Sequence, residues 1–585
     1  MQRCITQDGG GGSWPPMNDI HEAIQMKRHN GLRRAGGTLA ALSAASLIYL
    51  SGCSTGPDRS FGVTLYEGFG SYERPITTES AEAQALFNQG MQLLYGFNHD
   101  EAIRSFKAAA AEDPSAAMPW WGVAYANGIN INDPQMTDIR SSAAREAADK
   151  ALARMGSASP VEQALIRAVS ARYEWPAPED RSHLDQAYAD EMQKVYRQFP
   201  GDADVGALYA ESLMNLQPWD LWTKDGEPKG RTNEIVEVLE WVLESYPQHP
   251  GANHFYIHTV EASNDAGRAV AAADRLTSLV PGSGHLVHMP SHIYVRVGRY
   301  ADAAKSNEAA IAADRAYFAV APPPGFYSMY YGHNLHFLAF ASMMSGNYET
   351  AIGAARSLEA EMPKEPLREF AGFIEGIMPT NFHVMIRFGK WDEILREPEY
   401  EDWRLVSNAV RHYARAIAYS AKGMPDEARS EIALFNEAAD AIPEDWYILN
   451  NSVDSVLPIA RLMVEGETLW RESRQSEAYA KLREAVALED DLVYDEPPAW
   501  MLPVRHALGA LLIAGGEFDE AEQVYRTDLT KNPNNGWALV GLQQALFGQG
   551  DASDAMALNG AINQAFAGAD VRPTSSCYCE PGQGK

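Results

Sequence analysis

The chain has 585 residues, with 48 basic and 78 acidic side chains and a net charge of −30 with histidine neutral. So acidic a balance argues against binding driven by nucleic-acid phosphates and against adsorption on anionic lipid, and it fits solubility in an aqueous compartment. Cysteine usage agrees with export but adds little, since only Cys4, Cys53, Cys577 and Cys579 exist.

The N-terminus carries the layout of a targeting segment rather than of a folded domain. From Met26 the chain reads as a basic stretch (Lys27, Arg28, Arg33, Arg34), an apolar run from Leu39 to Leu50, then Leu50-Ser51-Gly52-Cys53. That layout is a lipoprotein signal over 26–52, with an apolar run too short to span a bilayer. Cleavage would leave Cys53 as the first mature residue, lipidated and anchored to a membrane surface. The plainer alternative is a cleaved secretory peptide with an incidental cysteine. Glycine-rich residues 1–25 belong to no such signal and read as an extension from an upstream start codon. Ser54, where an aspartate would signal inner-membrane retention, implies the outer membrane, facing the periplasm, in a Gram-negative organism. Residues 53–79 form a flexible tether. Removal of residues 1–52 leaves 43 basic against 75 acidic side chains. No later apolar run approaches span length, so the anchor is the only membrane contact implied.

Internal repeats decide the architecture. The clearest unit runs through Leu86, Gly90, Ala102, Phe106, Ala109 and Pro114, and Trp120 opens the next. Small residues let the two helices of a unit approach closely, and the proline closes the second helix. A turn signature of glycine, any residue, aromatic or aspartate, two residues, then alanine recurs: Gly298-Arg299-Tyr300 with Ala303, Gly346-Asn347-Tyr348 with Ala351, Gly389-Lys390-Trp391 with Ile394 in the alanine place, Gly516-Glu517-Phe518 with Ala521. Ala269 to Ala303 and Ala521 to Ala555 are each one period of 34, and Pro247 and Pro281 fall in phase.

This pattern resembles the tetratricopeptide repeat (TPR) family over most of residues 80–566. The resemblance implies an all-α fold, a right-handed superhelical solenoid of TPR-like helix-turn-helix repeats. A Trp-, Lys- and Gly-rich insertion at 218–230, holding Trp219 and Trp222, interrupts an N-terminal array at 80–317. A Pro-rich break at 318–328, holding Ala321-Pro322-Pro323-Pro324-Gly325, separates it from a C-terminal array at 329–566. Both departures could fold over the groove. In the tail, 567–585, Cys577-Tyr578-Cys579 leaves a tight disulfide, a soft-metal contact or no role open.

Histidine placement is the informative feature. His254, His258 and Glu261 share one helical face, as do His285, His288 and His292. His288 lies 34 residues after His254, and His292 lies 34 after His258, so they occupy equivalent places in adjacent repeats. In the family resembled, the second, fifth, ninth and twelfth places of a unit's first helix line the concave groove. The phasing puts these imidazoles there, with Glu261 at a twelfth place and His333, His336, His383 and the distant His506 on further groove places. His412 falls off it. Equivalent places on first helices packed about 8–10 Å apart can converge on one small centre.

A buried histidine is most often core filling with a satisfied nitrogen. A groove of seven or eight imidazoles, however, repels itself once protonated, so it calls for a carboxylate, an anion or a metal. Imidazole with one carboxylate suits zinc, copper, iron or nickel rather than calcium or magnesium. The candidate ligands are His254, His258, Glu261, His285, His288 and His292, with His333, His336 and His383 behind them. His254 and His258 lack the glutamate that follows the first histidine in zinc proteases, and nucleophile elbows, phosphate loops and dinucleotide fingerprints are missing. Tyr256, Tyr294, Tyr327, Tyr330 and Tyr331 lie nearby in sequence, as donors behind the ligands or as packing.

Two functions follow. One is a binding scaffold that holds a protein or peptide partner of the cell envelope in the His-lined groove. The other is a metal-binding protein or metalloenzyme using a divalent transition metal (Zn, Cu or Fe) on the cluster between 254 and 292.

Overall fold

The computed structural model describes residues 63–321 and 325–578. The signal 26–52, Cys4, Cys53, Cys579 and prolines 322–324 lie outside the described residues. Among those residues the fold is all-α except for one hairpin pairing Tyr447–Ile448 with Asn451–Ser452. Consecutive helices pack as pairs, for example Ala81–Tyr95 with His99–Glu112, Leu405–Ala421 with Pro425–Asp440, and Phe518–Lys531 with Gly536–Gln549. This is the helix-pair solenoid that the repeat pattern implies.

Local chemistry explains the pairs. Ser80, Asn98 and Asp202 each accept a hydrogen bond from a first-turn backbone N–H and so start their helices. Gly298, Gly346, Gly389 and Gly516 all take left-handed backbone, with φ between 64° and 86°, which a β-carbon would oppose. A packing device recurs at both ends of the array. The Phe106 ring sits between Gly90 and Gly122, where an added β-carbon would come within 2.4 and 2.6 Å of it. Tyr525 sits in the same way between Gly509 and Gly541. An aromatic of a second helix thus wedges between glycines of consecutive first helices, and only glycine leaves the room.

The array does not stop at the proline break. Helices Tyr300–Phe318 and Ser328–Met344, on either side, pack on each other. Buried Asp314 of the first accepts hydrogen bonds from Tyr327 Oη at 3.0 Å and from Asn334 Nδ2 of the second at 2.8 Å. Nor does the superhelix stay open. Trp537 Nε1 donates to the Met343 carbonyl at 2.9 Å, and Asp570 accepts from the Tyr348 backbone N–H at 2.7 Å. Lys224 of the 218–230 insertion pairs with Asp491 at 2.7 Å, and Trp222 Nε1 donates to the Thr259 carbonyl at 2.6 Å. Late repeats and the insertion therefore close over the middle of the array. Part of the expected tail is docked too: Ser576 Oγ donates to the His506 carbonyl at 2.8 Å, and Cys577 is disulfide-bonded. Among the described residues no helix is long and apolar enough to cross a membrane.

Candidate metal centre

Helix Pro250–Val260 carries His254 and His258 and ends at Glu261. Pro250 at its first position needs no hydrogen-bond partner, and His249 caps it by accepting from the Ala252 N–H at 3.0 Å. The next first helix is in two pieces, Gly284–His288 and Pro290–Arg296, because Pro290 has no N–H to continue the ladder. Both pieces keep helical spacing, so His285, His288 and His292 stay on one side. His333 and His336 lie on Ser328–Met344, and His383 lies on Thr380–Arg387.

These elements bring together two triads of imidazoles, His254 with His258 and His285, and His288 with His292 and His333. Within each set the ligand atoms lie within 4.8 Å of one another, and Glu261 and Glu496 gather around His292 in the same way. In the first triad His254 Nδ1 donates to the Tyr95 carbonyl at 2.6 Å, which leaves its Nε2 as a lone pair 3.2 Å from His285 Nε2. His258 Nδ1 donates to Glu261 Oε1 at 2.9 Å, and its buried Nε2 has no hydrogen-bond partner.

The second triad repeats the plan. His288 Nδ1 donates to Asn307 Oδ1 at 2.7 Å, and that amide is oriented by its own Nδ2 bond to the Ala303 carbonyl. His292 Nδ1 lies 2.9 Å from Glu261 Oε2 and donates to Glu496 Oε2 at 3.1 Å. His288 Nε2 and His292 Nε2 then face each other at 2.9 Å. The outer nitrogens of His254, His258, His288 and His292 are tied to a carbonyl, an amide or a carboxylate, whereas the buried Nδ1 of His285 has no hydrogen-bond partner; the inner nitrogens converge, the arrangement by which metal-ligating histidines are oriented.

Electrostatics favours the ligand form. Burial, followed by the charges of neighbouring imidazoles, pushes His254, His285, His288 and His333 well below the usual histidine range. Burial also lowers His258, against the pull of Glu261. These rings are therefore neutral at neutral pH, as ligation requires. His292 is the exception: burial opposes its proton, but the Glu261 and Glu496 carboxylates lift it above the usual range. Glu261 is held low, against its own burial, by His292 and His258.

The expected open groove is corrected by this geometry. His254 and His288 are fully buried, and His333 alone of the six imidazoles is half-buried rather than buried. Aromatic rings close the space: Phe97 lies 4.6 Å from His254, Trp219 5.4 Å from His258, Tyr330 4.5 Å from His285 and Phe337 5.1 Å from His292, centroid to centroid. Two triads, rather than one centre, form because His285 turns toward the repeat before it while His288 and His292 turn toward His333 in the repeat after it. His336 and His383 join neither triad. Burial drops them to about 3 and about 4, each has an Nδ1 with no hydrogen-bond partner, and His383 sits edge-on to Trp500. Of the tyrosines, Tyr330 covers His285 and Tyr327 Oη accepts from the His285 backbone N–H at 3.3 Å. Tyr256, Tyr294 and Tyr331 pair instead with Glu240, Asp274 and Glu361. Sequence reasoning missed Glu496, Asn307 and the Tyr95 carbonyl. A prior signal existed only for Asn307, which occupies the helix paired with the one bearing His288.

The tetratricopeptide repeat family matches residues 512–572, the stretch that holds the helices Phe518–Lys531 and Gly536–Gln549. No curated protein matches the chain. Among solved structures, a human IFIT1 dimer with m7Gppp-AAAA is 12% identical, covering 84% of this chain and 92% of that one, with a TM-score of 0.30. The TPR domain of P58(IPK) is 13% identical over 81% of this chain and 99% of that one at 0.22, and yeast Tom70 is 12% identical over 83% and 95% at 0.24. Likeness of that degree says nothing of what this chain binds. The protein is an all-α helical repeat protein whose residues 512–572 match the tetratricopeptide repeat.

Proposed function

We propose that this protein binds a late first-row transition metal in the enclosed histidine centre between residues 254 and 333. One observation carries the reading: in both triads inner Nε2 atoms meet at 2.9–3.2 Å while the outer nitrogens of His254, His258, His288 and His292 are tied down. Nitrogens about 2.0–2.1 Å from a common ion, at angles between square and tetrahedral, are separated by roughly 2.9–3.4 Å. Neutral imidazoles suit copper, zinc, iron or nickel. Glu261 and Glu496 would supply negative charge behind the ligands.

The partner-binding reading relied on the groove that these residues fill, so an envelope partner would have to dock elsewhere on the solenoid. We also propose the lipid anchor at Cys53. Loss of detergent partitioning in Cys53→Ser tests it, and unchanged partitioning with normal processing rejects it.

The metal reading is tested on the purified chain after chelation, by elemental analysis and titration with zinc and copper. Binding at micromolar concentration or tighter is expected, with His288→Ala weakening binding at its own triad at least a hundredfold and His506→Gln leaving it unchanged. Absence of zinc, copper, iron and nickel binding by the folded wild type rejects the reading.

A further inference from the structure

Resting on that metal-binding reading, we infer that the centre is built for two ions side by side, one in each triad, with copper bound most tightly. Structural and catalytic sites for zinc-sized ions take three or four protein ligands, and six imidazoles exceed the need of one. They also divide by ligand atom: the three ligand atoms of each triad lie within 4.8 Å of one another, although the widest ring pair of each, His258 with His285 at 6.1 Å and His292 with His333 at 5.7 Å, is comparable to the spacing between the sets. The closest rings within the first set, His254 with His258 and His254 with His285, lie 4.8 and 4.9 Å apart. His288 lies 4.8 Å from both His292 and His333 in the second. Between the sets the closest rings, His258 with His292 and His285 with His288, are 5.9 Å apart.

The repeat itself explains the duplication. Each triad consists of two histidines four residues apart on one first helix, His254 and His258 or His288 and His292, plus one imidazole from the first helix of the following repeat, His285 or His333. Stacking a repeat therefore copies a three-nitrogen site. One carboxylate ties the copies together: Glu261 Oε1 orients His258 in the first triad, and Glu261 Oε2 pairs with His292 in the second, each at 2.9 Å. Three imidazole nitrogens per ion leave a coordination position on each for an exogenous ligand, and neighbouring ions can share one. An all-imidazole donor set ranks copper highest among divalent first-row ions.

The test uses the full chain, stripped of metal and titrated with copper(II), read by elemental analysis and electron paramagnetic resonance. The expected result is two coppers per folded chain with depressed spin intensity or a half-field signal from coupled ions. His254→Ala with His285→Ala should retain one copper with an isolated-spin spectrum, as should His288→Ala with His333→Ala. Glu261→Gln should weaken both equivalents tenfold or more. One copper per wild-type chain would overturn the pair while leaving the metal-binding reading intact. Two coppers with fully isolated spins would overturn the side-by-side placement, and no copper or zinc at all would overturn both readings.

Discussion

Histidines are buried in two very different ways in this molecule. His506 sits on a first-helix place equivalent to those of the cluster, yet both its nitrogens are satisfied. Its Nε2 lies 3.1 Å from Asp528 Oδ2, and its Nδ1 lies 3.1 Å from Arg387 Nη1. Asn535 completes the network by donating to Asp528 at 3.0 Å. His249 is similar: Nε2 meets Asp204 at 3.1 Å, and Nδ1 accepts from the backbone. In the 254–333 cluster the outer nitrogens of His254, His258, His288 and His292 are so provided for, that of His285 is not, and the inner ones meet other imidazoles or nothing. Burial alone therefore does not distinguish a structural histidine from a candidate ligand. The convergence of several imidazole nitrogens does: buried His336 and His383 also leave an Nδ1 unpartnered, an orphaned polar atom that costs free energy wherever it lies, yet they stand outside both triads.

The largest effect that can test this contrast lies in the satisfied network. Asp528→Asn removes the carboxylate facing both His506 and the buried Arg387, whose guanidinium burial already lowers to about 10. A loss of about 3–5 kcal/mol in chemical denaturation is expected, as for a buried charge left without its partner, with metal bound per folded chain unchanged. Loss of metal along with stability would show that the two regions are not independent.

A buried acid with little compensation is the next case. Burial raises Glu467 to about 7, against the nearby Arg471 charge. Its folded pKa exceeds its unfolded one, so between about pH 4.5 and pH 7 the native state holds a proton that the unfolded chain has lost, and stability falls as pH rises through that window. Glu467→Gln should leave stability unchanged near pH 4 and raise it by about 3 kcal/mol at pH 8. A denaturation series against pH checks this, and a parallel wild-type and mutant profile would contradict it.

The smallest effects refine the cluster itself. Asn307→Ala frees His288 Nδ1 from its orienting acceptor, and a tenfold to hundredfold loss of metal affinity is expected, in keeping with the removal of a partner behind a ligand. His412→Ala is the matched control. That ring pairs with Glu431 at 2.7 Å at a part-exposed position, so stability should change by less than about 1 kcal/mol and affinity not at all. Equal affinity losses in the two variants would erase the difference between His288 and His412.

Much of this was legible locally. Gly298, Gly346, Gly389 and Gly516 marked turns because few other residues accept the left-handed backbone there, and Gly90 with Phe106 marked a close helix pair. The same phasing failed for His336 and His383, which lie on groove places but reach neither triad, and it gave His506 no different status from His288. Repeat position states which side of a helix a residue occupies, whereas partners such as Asp528 or Asn307 come from other helices.

By itself the sequence determined the helix pairs, their 34-residue period and the shared faces of His254 with His258 and of His288 with His292, because helix geometry links residues three and four apart whatever surrounds them. Only the tertiary structure decided that six imidazoles divide into two triads and that the groove is closed. It alone brought Glu496 to His292 across 204 residues. Those outcomes depend on how small rotations between successive repeats add up along the solenoid and on which loops then meet across it, and no short-range pattern encodes such a sum.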